Sequence, residues 1–94
     1  FPTVSRDLAF TVPDDLEAGK IVTLIESNGG KYLKAVDIFD VYKGDNIAEG
    51  KKSVAYSLEF VSNERTLTDD DIDKVISKLI KNIENTFKAE LRKN

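Results

Sequence analysis

Residues 66–83, TLTDDDIDKVISKLIKNI, carry the strongest local signal in the chain and predict one long helix. Thr68 fits the N-cap and Asp71 stands three residues later, so the two predict a variant of the capping box. Leu67 and Ile72 occupy the two positions of a hydrophobic staple. Beyond the cap, apolar residues recur with helical spacing and predict one wide apolar face. These residues are Ile72, Val75, Ile76, Leu79, Ile80 and Ile83.

Upstream of this helix, alternating apolar residues predict three strands. The first strand lies within residues 3–12 and is ended by Pro13. The third covers residues 51–61 and follows a turn between residues 44 and 50. In the third strand, one face carries Val54, Tyr56, Leu58 and Phe60, and the other carries Ser53, Ala55, Ser57 and Glu59. The second strand, residues 31–43, has Leu33, Phe39 and Val41 on one face and Val36 and Ile38 on the other. Such a strand is either covered in part on both faces or shifted in register by a bulge.

A shorter helix is predicted between the first two strands. Asp14 and Asp15 offer an N-cap and favourable charge for its start, and residues 28–30, Asn-Gly-Gly, stop it. The tail is ambiguous, because Phe87 continues the second helix while residues 88–92 alternate as a short closing strand, which we prefer. The resulting order is βαββαβ. It predicts an α+β, ferredoxin-like (RRM-like) sandwich, with a four-stranded antiparallel sheet and two helices on one face, as one domain over residues 1–94.

Composition narrows the possible functions. The 94 residues contain no Cys and no His, so thiol chemistry and the commonest general base and metal ligand are excluded. The net charge of −3 is unfavourable for a domain that binds nucleic acid tightly on its own. No apolar run is long enough to cross a bilayer, so we expect no membrane partner. A chain that opens at Phe1 without Met is expected to be a fragment of a longer protein.

The acidic and glycine-rich stretches suggest no catalytic site. Residues 69–71, three consecutive Asp, point in different directions on a helix and are better explained as a helix start than as a cation site. Asp37 and Asp40 are three apart on a strand, so we expect them on opposite faces. Residues 29–31, Gly-Gly-Lys, lack the spacing of a phosphate loop. We therefore expect no catalytic residue and no cofactor in this domain.

One group of residues on the open face of the predicted sheet is suited to RNA. Asp40 and Tyr42 share a face, and Ser53 begins the next strand across the hairpin, so an aromatic ring, a carboxylate and a hydroxyl lie together. Such a group could stack on an unpaired base and contact its edge. Lys43, Lys51 and Lys52 could meet phosphates. The alternative is an ordinary tyrosine at a strand end with solvated lysines, and spacing alone favours it.

Arg6 allows two interpretations as well. It alternates with Asp7 to the opposite face, so it does not pair with that neighbour, and it could instead pair with a carboxylate at a helix end or in the tail. That structural use is the simpler explanation.

The sequence resembles the ferredoxin-fold anticodon-binding domain of the bacterial phenylalanyl-tRNA synthetase beta chain. The resemblance rests on five motifs in order. They are Arg6-Asp7-Leu8-Ala9-Phe10, Phe39-Asp40-Val41-Tyr42, Gly50-Lys51-Lys52-Ser53, Thr66-Leu67-Thr68-Asp69 and Ala89-Glu90-Leu91-Arg92. One departure is Lys88, where the family often has Gly before the last strand.

The resemblance implies a function that the residues alone did not give. It implies a cytoplasmic α2β2 ligase that joins phenylalanine to its tRNA with ATP and Mg²⁺, whose catalytic site lies in the alpha subunit. This domain would bind the anticodon stem-loop of tRNA(Phe), with Tyr42 stacked on a base and Asp40 and Ser53 beside it. Arg6 and Arg92 match the family and either touch RNA or hold the domain together. Its other partners would be the remaining beta-chain domains and the alpha subunit, not DNA.

A ferredoxin-like fold also serves regulatory and protein-interaction modules, and fold alone does not decide between them. A ligand-binding regulatory domain would be expected to carry glycine in the turn after the first strand. Here that turn contains Pro13, Asp14 and Asp15, without glycine.

Overall fold

The computed structural model describes residues 1–93 and confirms the predicted βαββαβ order. The strands are β1 (Val4–Pro13), β2 (Leu33–Tyr42), β3 (Lys51–Phe60) and β4 (Glu90–Leu91), and the helices are α1 (Gly19–Asn28) and α2 (Asp69–Phe87). The strands form one antiparallel sheet in the order β2-β3-β1-β4. This places β2 and β4 at the two edges and β1 and β3 at the centre.

Both helices pack on the same face of the sheet. The alternating apolar residues of β1 and β3 point into this core, and the staple residues Leu67 and Ile72 are buried in it. Phe10 and Tyr56 meet edge to face, with ring centroids 6.4 Å apart. The Tyr56 hydroxyl donates a 2.9 Å hydrogen bond to the Ala18 carbonyl, which ties β3 to the start of α1. Burial raises the pKa of Tyr56 to about 12.

The start of α2 has the predicted cap. The Thr68 hydroxyl accepts from the Asp71 backbone N–H at 3.3 Å, and the Thr68 N–H donates to the Asp71 carboxylate at 2.8 Å. Arg65 adds two hydrogen bonds to the same carboxylate, at 2.7 and 3.1 Å. The guanidinium and the cap together hold the pKa of Asp71 well below its usual range. Three local groups therefore fix this helix end.

The first helix begins later than the sequence predicted. Asp14 and Asp15 lie in a turn rather than at the helix start, and α1 begins at Gly19 without a side-chain cap. The Asp14 N–H donates to the Gly50 carbonyl at 2.9 Å, which continues the pairing beside the hairpin loop and delays the helix. The end of α1 is as predicted. A Cβ on Gly29 would lie 2.8 Å from the Ile25 carbonyl oxygen, so the close approach of the chain requires glycine there.

The closing strand is shorter than predicted, because α2 continues through Phe87. Lys88 then reverses the chain in the left-handed region, with φ 55° and ψ 38°. Glycine adopts this conformation most easily, which accounts physically for the family's preference at this position. The Glu84 carboxylate accepts from the Leu91 N–H at 3.2 Å and holds β4 to the helix.

The second strand resolves the two alternatives for its mixed apolar pattern. It has register shifts between Leu33 and Ala35 and between Ile38 and Asp40, so a bulge changes the face of the residues that follow it. Val41 lies opposite Val54 and therefore shares the helix-side face with Val36 and Ile38. The expectation that Val41 lies on the face opposite to them was wrong.

Candidate nucleic-acid interface

The sheet face away from the helices is built from small and polar residues. Along β1 and β3 it carries Ala9, Thr11, Ser53, Ala55 and Ser57. Residues directly opposite each other in an antiparallel pair share a face, so these side chains form a continuous surface of short side chains. Such a face leaves room for a ligand to lie against the sheet.

Tyr42 stands at the end of β2 on this face, directly opposite Ser53. Its side chain remains 42% exposed. The hydroxyl donates to the Asp45 carbonyl at 3.2 Å, and the hairpin loop approaches it closely, since a Cβ on Gly44 would lie 3.1 Å from the Tyr42 oxygen. The loop therefore holds the hydroxyl end of the ring, while much of the ring stays available for stacking.

The bulge in β2 brings two acidic side chains to the same face as Tyr42. Asp37 lies opposite Ser57 and Asp40 opposite Ala55, which are both open-face residues. The expectation that Asp37 and Asp40 lie on opposite faces was therefore wrong, because it counted two residues per repeat through a strand that contains an extra one. Asp40 is exposed beside Tyr42, where a carboxylate can accept hydrogen bonds from a base.

Ser53 is covered, and the group that covers it is Arg92. Only 5% of Ser53 is exposed, and Arg92 Nη1 donates to its Oγ at 3.1 Å. The backbone N–H of Arg92 donates to the Ala9 carbonyl at 2.7 Å, which holds this residue beside β1. Arg92 therefore lies next to the predicted group of Asp40, Tyr42 and Ser53, and the Ser53 hydroxyl is shielded from solvent. No local pattern indicates this link, because it joins residues 39 positions apart.

The three candidate lysines do not form a single cluster. Lys43 bonds the Asp14 carboxylate, and this contact lowers the pKa of Asp14. Lys51 and Lys52 are the first two residues of β3 and therefore point to opposite faces, with Lys51 on the side of Ser53. All three lie at the Tyr42 end of the sheet, but Lys43 is already paired within the domain.

Arg6 lies apart from the other candidates. It stands opposite Leu58 on the helix-side face, and Nη2 donates to Asp69 at the start of α2 at 2.7 Å. Arg6 is five positions along β1 from Thr11, the residue opposite Ser53, or roughly 17 Å. The expected pairing with a helix-end carboxylate is present, and the structure does not bring Arg6 to the open face.

Within residues 1–93, no three acidic, His or Cys side chains are grouped so that they could hold a metal ion. Over the same range, neither helix combines the length and apolarity that a bilayer span requires. A cleft of about 310 Å³ lies at the far end of the sheet, between residues 31–34 and 61–64. It is lined in part by Tyr32, whose ring has Lys31 Nζ 5.0 Å from its centroid. The sequence analysis did not identify this cleft.

An open sheet that presents an exposed aromatic ring beside hydrogen-bonding groups is typical of platforms for unpaired nucleotides. The comparisons with known proteins agree with that class. The chain belongs to the family of ferredoxin-fold anticodon binding domains, whose family model matches residues 1–92.

The similar proteins are phenylalanine–tRNA ligase beta subunits. The chain is 45% identical over 92 residues to the one from Bacillus subtilis and 49% identical over 92 residues to the one from Clostridium tetani. Each match covers 98% of this chain but only 11% and 12% of the respective relative. The chain therefore spans about a ninth of the length of these relatives.

Proposed function

We propose that this chain is the anticodon-binding domain of a phenylalanine–tRNA ligase beta subunit and that its open sheet face binds the anticodon stem-loop of tRNA(Phe). Family membership and the names of the relatives support the class of ligand. The arrangement of Tyr42, Asp40 and Arg92 on one uncovered face supports the place of contact. The parent enzyme would work in the cytoplasm and join phenylalanine to its tRNA.

Tyr42 supplies the stacking surface. The hairpin loop holds its hydroxyl, so the ring loses little freedom when a base stacks on it. Stacking of a base on an aromatic side chain contributes roughly 1–3 kcal/mol. Because every base has a flat face, this contact gives affinity without choosing the base.

Asp40 and Arg92 supply the polar contacts beside the ring. An ionised carboxylate only accepts hydrogen bonds, so Asp40 selects a base edge that carries N–H donors. A guanidinium only donates, and one hydrogen bond to Ser53 leaves most of its five N–H groups available for a phosphate or a base acceptor. The two residues therefore offer complementary chemistry on the two sides of the ring.

Ser53 then acts through Arg92. Its oxygen accepts from the guanidinium and so fixes where that planar group lies on the sheet. A hydroxyl can accept and donate at the same time, so Ser53 keeps one proton to donate when Arg92 shifts on binding. This role differs from the direct contact expected for Ser53 from the sequence.

The acidic balance of the domain fits a supporting role in tRNA binding. The net charge of −3 is unfavourable for phosphate binding overall, and Lys43, one of the cations at the Tyr42 end of the sheet, is already bonded to Asp14. We expect weak binding by the 94 residues alone, with the rest of the ligase supplying most of the affinity. ATP and Mg²⁺ would serve the parent enzyme's catalytic subunit, and no residue described here takes part in that step.

The observation that carries this proposal is the exposed Tyr42 ring beside Asp40 and Arg92 on a face without helices. The test is Tyr42→Ala in the full ligase, with Tyr42→Phe as the matched control that keeps the ring. We expect Tyr42→Ala to lower kcat/KM for tRNA by about 5- to 150-fold, the equivalent of the stacking energy, and to leave amino-acid activation unchanged. Unchanged charging by Tyr42→Ala would favour a regulatory or protein-interaction module instead.

A further inference from the structure

A second exposed surface lies on β2, where Ile38 and Val41 are on the opposite side of the sheet from Asp40 and Tyr42. Ile38, Phe39 and Val41 are 39%, 56% and 56% exposed, whereas the earlier residues Leu33 and Val36 are half-buried against the core. We call these three residues the β2 overhang. Burial along this strand therefore stops midway, although apolar residues continue.

The overhang continues the apolar layer beyond the part of β2 that packs against the core. Ile38 lies opposite Tyr56 and Val41 opposite Val54, and both of these partners are completely buried beneath the helices. Because opposite residues share a face, Ile38 and Val41 belong to the same apolar layer but have no helix above them. Phe39 is the extra residue of the bulge between them and is equally exposed.

The position of the overhang favours a covering partner. β2 is an edge strand of ten residues, and its outer backbone groups have no strand beside them within residues 1–93. Long edge strands with exposed apolar side chains promote association, so native proteins protect or cover them. Exposed patches of a few hundred Å² commonly mark interaction sites.

We propose that the β2 overhang docks against an apolar surface elsewhere in the same, longer polypeptide. This inference rests on the proposed parent subunit, since the relatives are about nine times as long as this chain. Three side chains are too few for the roughly 800 Å² per partner that a stable complex of separate proteins buries. A tethered partner needs much less area, because its effective concentration is on the order of millimolar.

The apolar character of the overhang argues against RNA as its occupant. The overhang consists of three apolar side chains and has no cation. Phosphate contacts require Lys or Arg, so an apolar protein surface is the better match. Ile38 and Val41 lie on the face of β2 opposite to the proposed RNA surface, so a protein partner on them and RNA on the other face can be bound at once.

The absence of Cys from the chain allows a direct accessibility test. Phe39→Cys and Val41→Cys are each prepared in the 94-residue chain and in a full-length beta subunit containing this sequence. Lys78→Cys, on the exposed side of α2, is the control. Maleimide labelling is followed by mass spectrometry of the peptide that contains each introduced cysteine, without tRNA. Circular dichroism checks that each variant is folded.

We expect labelling at positions 39 and 41 to be at least tenfold slower in the full-length subunit than in the 94-residue chain, with little change at position 78. Equal rates in the two proteins would overturn the proposal. Rates that fall as the 94-residue chain is concentrated would assign the surface to a second copy, and slowing that appears only with added tRNA would assign it to RNA. Either result would also overturn it. The deciding comparison is made without tRNA and the arm with added tRNA is run separately, so the outcome is independent of the Tyr42 experiment.

Discussion

Replacement of Lys88 by glycine is expected to stabilise the domain. Lys88 follows α2 in the left-handed region, with φ 55° and ψ 38°. That conformation costs a residue with a Cβ roughly 1–2 kcal/mol. Glycine avoids this cost but gains freedom in the unfolded chain, which offsets about 0.4–1 kcal/mol. Within residues 1–93 the exposed Lys88 side chain makes no hydrogen bond or ion pair, so we expect a net gain of about 0.5–1 kcal/mol.

Thermal unfolding of the 94-residue chain measures this gain. For a domain of this size, 1 kcal/mol corresponds to a shift in Tm of about 4–8 °C, so Lys88→Gly should raise Tm by several degrees. Lys81→Gly is the matched control, because Lys81 is exposed in the interior of α2, where glycine costs about 1 kcal/mol. The same substitution should therefore have opposite signs at the two positions. A fall in Tm for Lys88→Gly comparable to that for Lys81→Gly would refute the reasoning.

Three further substitutions test the packing and electrostatics. Tyr56→Phe removes the hydroxyl donor to the Ala18 carbonyl, which keeps only the Ile21 N–H at 3.2 Å, and should lower the free energy of unfolding by about 1 kcal/mol at pH 7 in urea titrations. Burial raises the pKa of Tyr56 from 10.0 to about 12. The unsubstituted domain should therefore lose stability as pH rises from 10 towards 12, because the unfolded tyrosine releases its proton first, and Tyr56→Phe should lack that loss. Gly29→Ala should lower Tm, because the new Cβ meets the Ile25 carbonyl at 2.8 Å; an unchanged Tm would show that the turn has room. Asp71→Asn should be less stable at pH 7. The difference should shrink as pH falls below 3.8, where the unfolded chain takes up a proton that the native carboxylate still resists, and it should vanish only at lower pH, where the native carboxylate is protonated too; a gap that stays constant as pH falls below 3.8 would contradict the assigned cause.

Most of the fold could be predicted from the sequence because each helix and strand contains a local pattern of its own, such as a cap or an alternation of apolar residues. The cap at Thr68 and Asp71 involves residues three apart, so its geometry follows from the sequence directly. The faces of β3 follow from alternation in the same way. In contrast, Asp14 looks like a helix cap locally, but its N–H pairs with Gly50 from another part of the chain. Tertiary pairing therefore decided where α1 begins.

The candidate site could be predicted only in part. Tyr42 and Ser53 were placed together correctly, because a hairpin joins their strands. The bulge near Phe39 was raised as an alternative, but alternation cannot tell which residue is extra, so Asp37 was assigned to the wrong face. The bond from Arg92 to Ser53 depends on β4 lying beside β1, a contact that no local pattern encodes.

The central claim is that an unpaired base of the anticodon loop stacks on the open side of Tyr42. The most direct test is an NMR titration of the labelled 94-residue chain with a tRNA(Phe) anticodon stem-loop at near-millimolar concentration, where weak binding is visible. We expect the Tyr42 ring protons to shift and to show nuclear Overhauser effects to base protons, with Asp40 and Arg92 shifting and Arg6 unaffected. Binding that leaves the Tyr42 ring unchanged while shifts gather on another surface would contradict the claim.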